Sequence, residues 1–198
     1  MAFAPDTLAE IVFFVLAACW LGFGVILVIG NKGAARSERK RDLNSHAGFL
    51  LHCAGYAISF VFPRVYFSPF VPMPKRMEEI VSAMAIVLAI ASVWVCFEAA
   101  RTLGRQWSLV ARVIDNHELV MRGPYAVVRN PIYLAMFGML VATGLAVSRW
   151  QALIVAAIVF LAGSAIRIRS EEKLLREAFG RRFDEYASRV PALFPRVR

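Results

Sequence analysis

Cysteine is scarce and scattered: Cys19, Cys53 and Cys96 are the only three in 198 residues, each alone inside an apolar run. No CxxC pair and no Cys/His spacing accompanies them, which excludes a disulfide framework or a zinc site as an organising feature. Charge is thin as well, at 19% of residues against 59% hydrophobic. So small a polar share excludes a disordered chain and leaves a water-soluble fold with too much apolar surface to cover. The chain also lacks a Walker loop, a GxGxxG, a nucleophile triad and a paired-carboxylate site. Acidic residues are the rarer sign, 14 Asp plus Glu against 23 Lys plus Arg, for a net charge of +9. That excess requires no nucleic acid, because basic residues collect in the cytoplasmic loops of membrane proteins.

What is plentiful is uninterrupted apolar sequence. Five stretches carry no formal charge: Ile11 to Gly30, Asn44 to Pro63, Ile80 to Phe97, Asn130 to Ser148 and Trp150 to Ile166. A helix rises about 1.5 Å per residue, so roughly 20 residues cross a hydrocarbon core about 30 Å thick. The first three stretches predict single spans. The last two are shorter and separated by Arg149 alone, which predicts a helical hairpin over 131–166 with Arg149 and Trp150 at its tip. The first stretch follows acidic rather than basic residues (Asp6, Glu10) and no small-residue cleavage pattern follows it, so it reads as a retained span. Lys and Arg number five in 31–45, five in 101–129 and nine in 167–198, against three in 64–79 and one at Arg149. Alternating spans place the first three groups together, which predicts an outside N-terminus and a cytoplasmic C-terminus. The expected fold is therefore all-α: a single integral membrane domain over 1–198, with five transmembrane helices and a cytoplasmic C-terminal amphipathic helix. That last helix follows from Leu175, Phe179 and Phe183 at four-residue spacing, with Leu174, Ala178 and Tyr186 beside them; it suits either the membrane surface or a cap on the bundle.

Residues 101–130 and 167–198 are the polar segments able to hold a hydrophilic ligand. Gly123-Pro124 is a turn signal. Asn130-Pro131 predicts a helix start, with Asn as N-cap and Pro at the first helical position. Phe179-Gly180 suits a helix end with a glycine cap. Arg167 and Glu171, four apart, share a helix face where the last span leaves the bilayer, and on spacing alone they read as a salt bridge. His46 and His52 read as packing histidines in the second span. Glu98 is an intramembrane acid, the kind of residue that is functional by default, with Arg101 three residues on as an alternative partner.

Taken jointly, these pieces carry more than each does alone. His117-Glu118-Leu119-Val120, then Gly123-Pro124-Tyr125, then Arg129-Asn130-Pro131-Ile132-Tyr133 resembles the HxLV…GxY…RHPxY signature of the isoprenylcysteine carboxyl methyltransferase family. After the hairpin, Arg167…Glu171-Glu172…Leu175…Phe179-Gly180…Tyr186…Val190-Pro191 resembles that family's tail. The resemblance covers about residues 101–195 and extends to the span layout of the short five-span prokaryotic members, which points to a prokaryotic inner membrane. It implies S-adenosylmethionine as methyl donor, bound at the cytoplasmic face in 101–198, and a lipophilic or prenylated acceptor reaching the site from the bilayer past the three spans of 1–100. His117, Glu118, Leu119, Val120, Tyr125, Asn130, Pro131, Ile132 and Tyr133 would line the cofactor. Glu171 would hold one of its polar groups, and Arg167 would bind the acceptor's carboxylate; these two are the expected catalytic pair. The family usually has His where Asn130 stands, and Asn keeps a donor and an acceptor but cannot titrate near neutral pH.

Methyl transfer from a sulfonium is an in-line displacement governed by positioning, and an ionised carboxylate acceptor needs no base, so the expected site holds no metal. The expected function is carboxyl O-methylation of an isoprenylcysteine-like or other lipid carboxylate at the cytoplasmic face. Two rivals stand beside it. One is a sterol-type NADPH-dependent membrane reductase, whose C-terminal half is similar. The other is a non-catalytic membrane scaffold that keeps the fold.

Overall fold

The computed structural model describes residues 7–32, 40–41, 45–63, 75–104, 112–113 and 119–196. Among these residues the fold is helical: α1 (Thr7–Lys32), α2 (Ser45–Val61), α3 (Lys75–Leu103), α4 (Pro131–Val147), α5 (Trp150–Phe179) and α6 (Arg181–Arg189). A short 3₁₀ turn occupies Gly123–Ala126. Helices α1, α3 and α5 are each long and apolar enough to cross a membrane. Helices α2 and α4 are apolar but only 17 residues each, roughly 25 Å of rise.

Two backbone ties fix how the helices stand. A two-residue antiparallel ladder, β1 (Lys40–Arg41) with β2 (Arg112–Val113), joins the connection after α1 to the one after α3. At the other end Pro63 bridges Ser148, and the Arg149 N–H donates to the Phe62 carbonyl at 3.3 Å, tying the end of α2 to the tip of the α4–α5 hairpin.

Apolar side chains cannot drive helices together inside lipid, so close backbone approach and buried polar contacts must do it. Both are present. Added Cβ atoms would stand 2.2 Å from Ser92 Oγ at Gly138 and 2.2 Å from Leu153 Cδ1 at Gly144, so these glycines admit α3 and α5 against α4. On the α2–α5 seam a Cβ on Gly163 would lie 2.8 Å from the Gly48 carbonyl, and one on Gly48 would lie 2.5 Å from Arg167 Cγ. Trp20 Nε1 donates to Thr143 Oγ1 at 3.0 Å, and the Tyr56 hydroxyl donates to the Met136 carbonyl at 2.7 Å. The main core joins Val12, Leu16 and Phe23 of α1, Ala89 and Cys96 of α3 and Ala135, Met139 and Ala142 of α4. Leu21, Phe14 and Val87 point outward, as a lipid-facing surface requires.

The C-terminal segment departs from the expected single amphipathic helix. Helix α5 does not stop at Ile166; it runs without a break through the charged residues to Phe179. Gly180 then takes φ +51°, its N–H capping the Arg176 carbonyl, and α6 begins. A left-handed φ is cheap for glycine, which is why the helix ends there. The apolar stripe turns inward: Leu175, Phe179, Phe183 and Tyr186 pack on Leu119, capping the bundle.

Candidate active site

The site grows from one stripe of α5. Phe160, Ser164, Arg167 and Glu171 follow one another at helical spacing and face α2 and the first turn of α4. The α4 turn starts at Pro131, whose fixed φ is pre-organised for a helix and whose missing N–H costs nothing there. That start points Tyr133 at the stripe. Arg167 Nε donates to the Tyr133 oxygen at 2.7 Å, and the Tyr133 hydroxyl donates to Glu171 Oε1. Arg167 Nη2 lies 3.5 Å from the same carboxylate oxygen. The three side chains form one hydrogen-bonded unit. Tyr133 and Arg167 are 8% and 6% exposed, and the Glu171 side chain keeps 26% of its surface open. Desolvated guanidinium and carboxylate groups are stable only when paired in this way.

A second unit ties the tail over the start of α4. Arg129 Nε donates to Glu172 Oε1 at 2.8 Å, and its Nη2 lies 2.7 Å from that oxygen. Its Nη1 donates to the carbonyls of Ala187, at 2.9 Å, and Val190, at the C-terminal end of α6 where a cation is favoured. The Arg129 and Asn130 N–H groups donate to the carbonyls of Pro191 and Ala192 at 2.9 and 3.1 Å. Tyr186 completes the clasp by donating to the Tyr125 carbonyl at 2.6 Å. Burial pushes the Tyr186 phenol up to about 12, with the Arg129 cation pulling the other way. Burial raises the Tyr125 phenol well above its usual value, and the Glu171 carboxylate adds to it. Both phenols are therefore neutral at physiological pH.

Of the residues expected from sequence, Arg167, Glu171 and Tyr133 meet directly. Leu119 and Tyr125 are buried, Leu119 under Phe183 and Tyr186. Pro131 is buried, whereas Val120 and Ile132 are half-buried. Asn130 is the N-cap residue of α4, but its side chain makes no capping bond; Nδ2 donates instead to the Ala192 carbonyl at 2.9 Å. His117 and Glu118 lie outside the described residues. Glu98 pairs with Arg101 at 3.3 Å. Sequence reasoning missed the role of Arg129 and Glu172 as a clasp and the place of His52. That histidine lies 5.5 Å from the Tyr133 ring and stacks on Phe160 at 4.3 Å. The Gly48-x₃-His52-x₂-Gly55 stripe, which puts both glycines and the histidine on one helix face, was the available signal.

Residues 80–182 match the family model of phospholipid methyltransferase. The nickel-cobalt-cadmium resistance protein NccN of Alcaligenes xylosoxydans xylosoxydans is 39% identical over 100 residues, 48% of this chain and 45% of that protein. Protein-S-isoprenylcysteine O-methyltransferase B of Arabidopsis thaliana is 34% identical over 98 residues, 48% of this chain and 50% of that protein. The chain thus spans about half the length of these two curated relatives. A probable protein-S-isoprenylcysteine O-methyltransferase of Oryza sativa subsp. indica is 28% identical over 185 residues, 90% of this chain and 96% of that protein. The family match takes in most of α3, all of α4 and α5, the Arg129–Tyr133 turn and the Arg167–Glu171 stripe, and covers just over half of the sequence. This chain belongs to the phospholipid methyltransferase family, a family of membrane methyltransferases that includes the isoprenylcysteine carboxyl methyltransferases.

Proposed function

We propose that this protein is an S-adenosylmethionine-dependent methyltransferase that esterifies the carboxylate of a lipophilic, isoprenylcysteine-like acceptor at the cytoplasmic membrane face. The observation that carries the reading is the Arg167–Tyr133–Glu171 unit, a buried guanidinium joined through a phenol to a partly open carboxylate. In this reading all five apolar helices span, the short α2 and α4 being held between longer neighbours. The ladder at one end of the bundle and the bridge at the other support that alternation. The basic excess of 31–45, 101–129 and 167–198 supports a cytoplasmic face for the Arg167 end, in a prokaryotic inner membrane.

The residues around the unit fit the methyl donor. Glu171 offers a carboxylate to a hydroxyl or ammonium group, and the buried Leu119, Tyr125 and Tyr133 supply apolar and aromatic wall with Pro131, Ile132 and Val120 alongside. His117 and Glu118 are assigned to the methyl donor by motif alone, from the resemblance of their segment to the family signature. Asn130 reaches it through the clasp, holding the tail in place by two bonds to Ala192; an amide does this without titrating, which accounts for Asn where the family usually has His. S-adenosylmethionine, when bound, supplies a methyl group on a sulfonium sulfur. Arg167 binds the acceptor carboxylate, for which a planar fork of donors is the best match. The acceptor is already ionised near neutral pH, so no side chain needs to remove a proton. Tyr133 keeps the Arg167 and Glu171 charges in register, and the capped tail excludes water, which would otherwise solvate and blunt the attacking anion. The family match favours neither the reductase nor the scaffold reading.

The test is transfer of a labelled methyl group to an S-farnesylated cysteine with a free carboxylate, by purified protein in lipid nanodiscs. The expected product is a base-labile methyl ester whose formation Arg167→Ala removes. Absence of transfer, or a base-stable product, would overturn carboxyl O-methylation.

A further inference from the structure

The geometry points to His52, on α2, as a positioning residue that holds Tyr133 between Arg167 and Glu171. The inference rests on the function proposed above for its kinetic consequence, but on the structure alone for the geometric one. His52 is 2% exposed and lies outside every motif of the C-terminal half. Its Nε2 shares a hydrogen bond with Ser164 Oγ at 2.9 Å. Its ring stacks on Phe160 with centroids 4.3 Å apart and planes 21° apart, and the Tyr133 ring lies 5.5 Å away, tilted by 50°. Phe160 and Ser164 occupy the two turns of α5 that precede Arg167, so two contacts clamp the imidazole to the stripe that carries the charged pair and the third sets it beside Tyr133 of α4.

The clamp exists because α2 and α5 touch at their backbones. A Cβ on Gly163 would stand 3.1 Å from His52 Cδ2 as well as 2.8 Å from the Gly48 carbonyl. With no side chain at either glycine, the imidazole sits deep enough in the seam to reach both Ser164 and Tyr133. A phenylalanine there would fill the space but leave Ser164 without this partner; the polar contact fixes the ring's rotation, and the rotation fixes the surface on which Tyr133 rests. Tyr133 carries the hydrogen bond from Arg167 and gives the one to Glu171, so a ring free to rock would loosen both charges. A misplacement of about 1 Å at a reacting centre costs roughly a hundredfold in rate.

Three variants separate this from packing alone: His52→Ala, His52→Phe and Ser164→Ala. The first readout is the ¹⁹F resonance of Tyr133 in protein labelled with fluorotyrosine in nanodiscs, assigned by its loss in Tyr133→Phe. All three variants are expected to shift or broaden that line, including His52→Phe, which keeps an aromatic ring but loses the polar contact. The second readout is kinetic: turnover of the farnesylated cysteine carboxylate falls at least tenfold, within the range expected of such a misplacement, and S-adenosylmethionine affinity falls by less than in Glu171→Ala, because Glu171 is loosened rather than removed. An unchanged Tyr133 line in His52→Phe and Ser164→Ala overturns the inference whatever the activity. A wild-type protein that does not methylate the carboxylate, but whose Tyr133 line moves in the variants, overturns the proposed function and leaves the positioning role standing.

Discussion

The clasp between Arg129 and the tail makes a quantitative prediction. The Arg129 and Glu172 side chains are 13% and 15% exposed, so their ion pair is largely desolvated, and the same guanidinium also serves the Ala187 and Val190 carbonyls. Arg129→Met keeps most of the apolar stem but leaves the Glu172 carboxylate buried without its cation. Breaking a buried pair from one side costs about 3–5 kcal/mol. At about 1.36 kcal/mol per factor of ten, local opening of α6 and the tail should become roughly a hundredfold to a few thousandfold more frequent. Glu172→Gln should cost less, about 1–3 kcal/mol, because Arg129 retains its carbonyl partners. The double variant Arg129→Met, Glu172→Leu should recover part of the loss, since no orphaned charge remains. Hydrogen–deuterium exchange of peptides from 181–196 reads the opening directly, with α1 and α3 peptides as internal controls expected not to change. Exchange in Arg129→Met within tenfold of the wild type would refute the clasp.

Gly163→Ala puts a methyl group 2.8 Å from the Gly48 carbonyl and from Leu51 Cβ, where backbone cannot yield; a loss of about 1–3 kcal/mol is expected, read as a lower thermal midpoint in detergent. Gly24→Ala, inside α1 with no neighbour within 4 Å of the new Cβ, is the matched control and should not lower the midpoint. Tyr186 has its phenol raised from 10 to about 12 by burial. The folded state therefore holds that proton after the unfolded chain has released it, and stability should fall as pH rises from 10 to 12. In Tyr186→Phe the alkaline slope should be shallower, as measured by urea or thermal unfolding across that range.

What hydropathy made legible was the apolar stretch, not the helix. Each charge-free run lies within or against a helix, but α3 begins at Lys75 and α5 ends at Phe179, well beyond the apolar stretches. Lys, Arg and Glu are good helix formers, so the end of an apolar stretch does not end a helix; Gly180 does, and its cap was readable. Arg167, Glu171 and Tyr133 were legible as spaced motifs because they lie on two short local segments. His52 was not, because a lone histidine in an apolar run looks the same whether it packs or positions. Its meaning comes from a partner 112 residues away, brought close by glycines whose role depends on which helix they face. Asn130 was half-legible: the helix starts after it, yet its amide serves Ala192. The tail that accepts that bond follows α6, whose apolar spacing continues that of α5 across the Gly180 break.

The central claim is that the Glu171 end of the Arg167–Tyr133–Glu171 unit holds a methyl donor. The most direct measurement is calorimetric titration of S-adenosylmethionine, and of its demethylated product, into detergent-purified protein and its Glu171→Ala and Arg167→Ala variants. The account predicts saturable binding to the wild type, loss of binding in Glu171→Ala and near-native binding in Arg167→Ala. No binding to folded wild-type protein, or equal binding by all three, would contradict it.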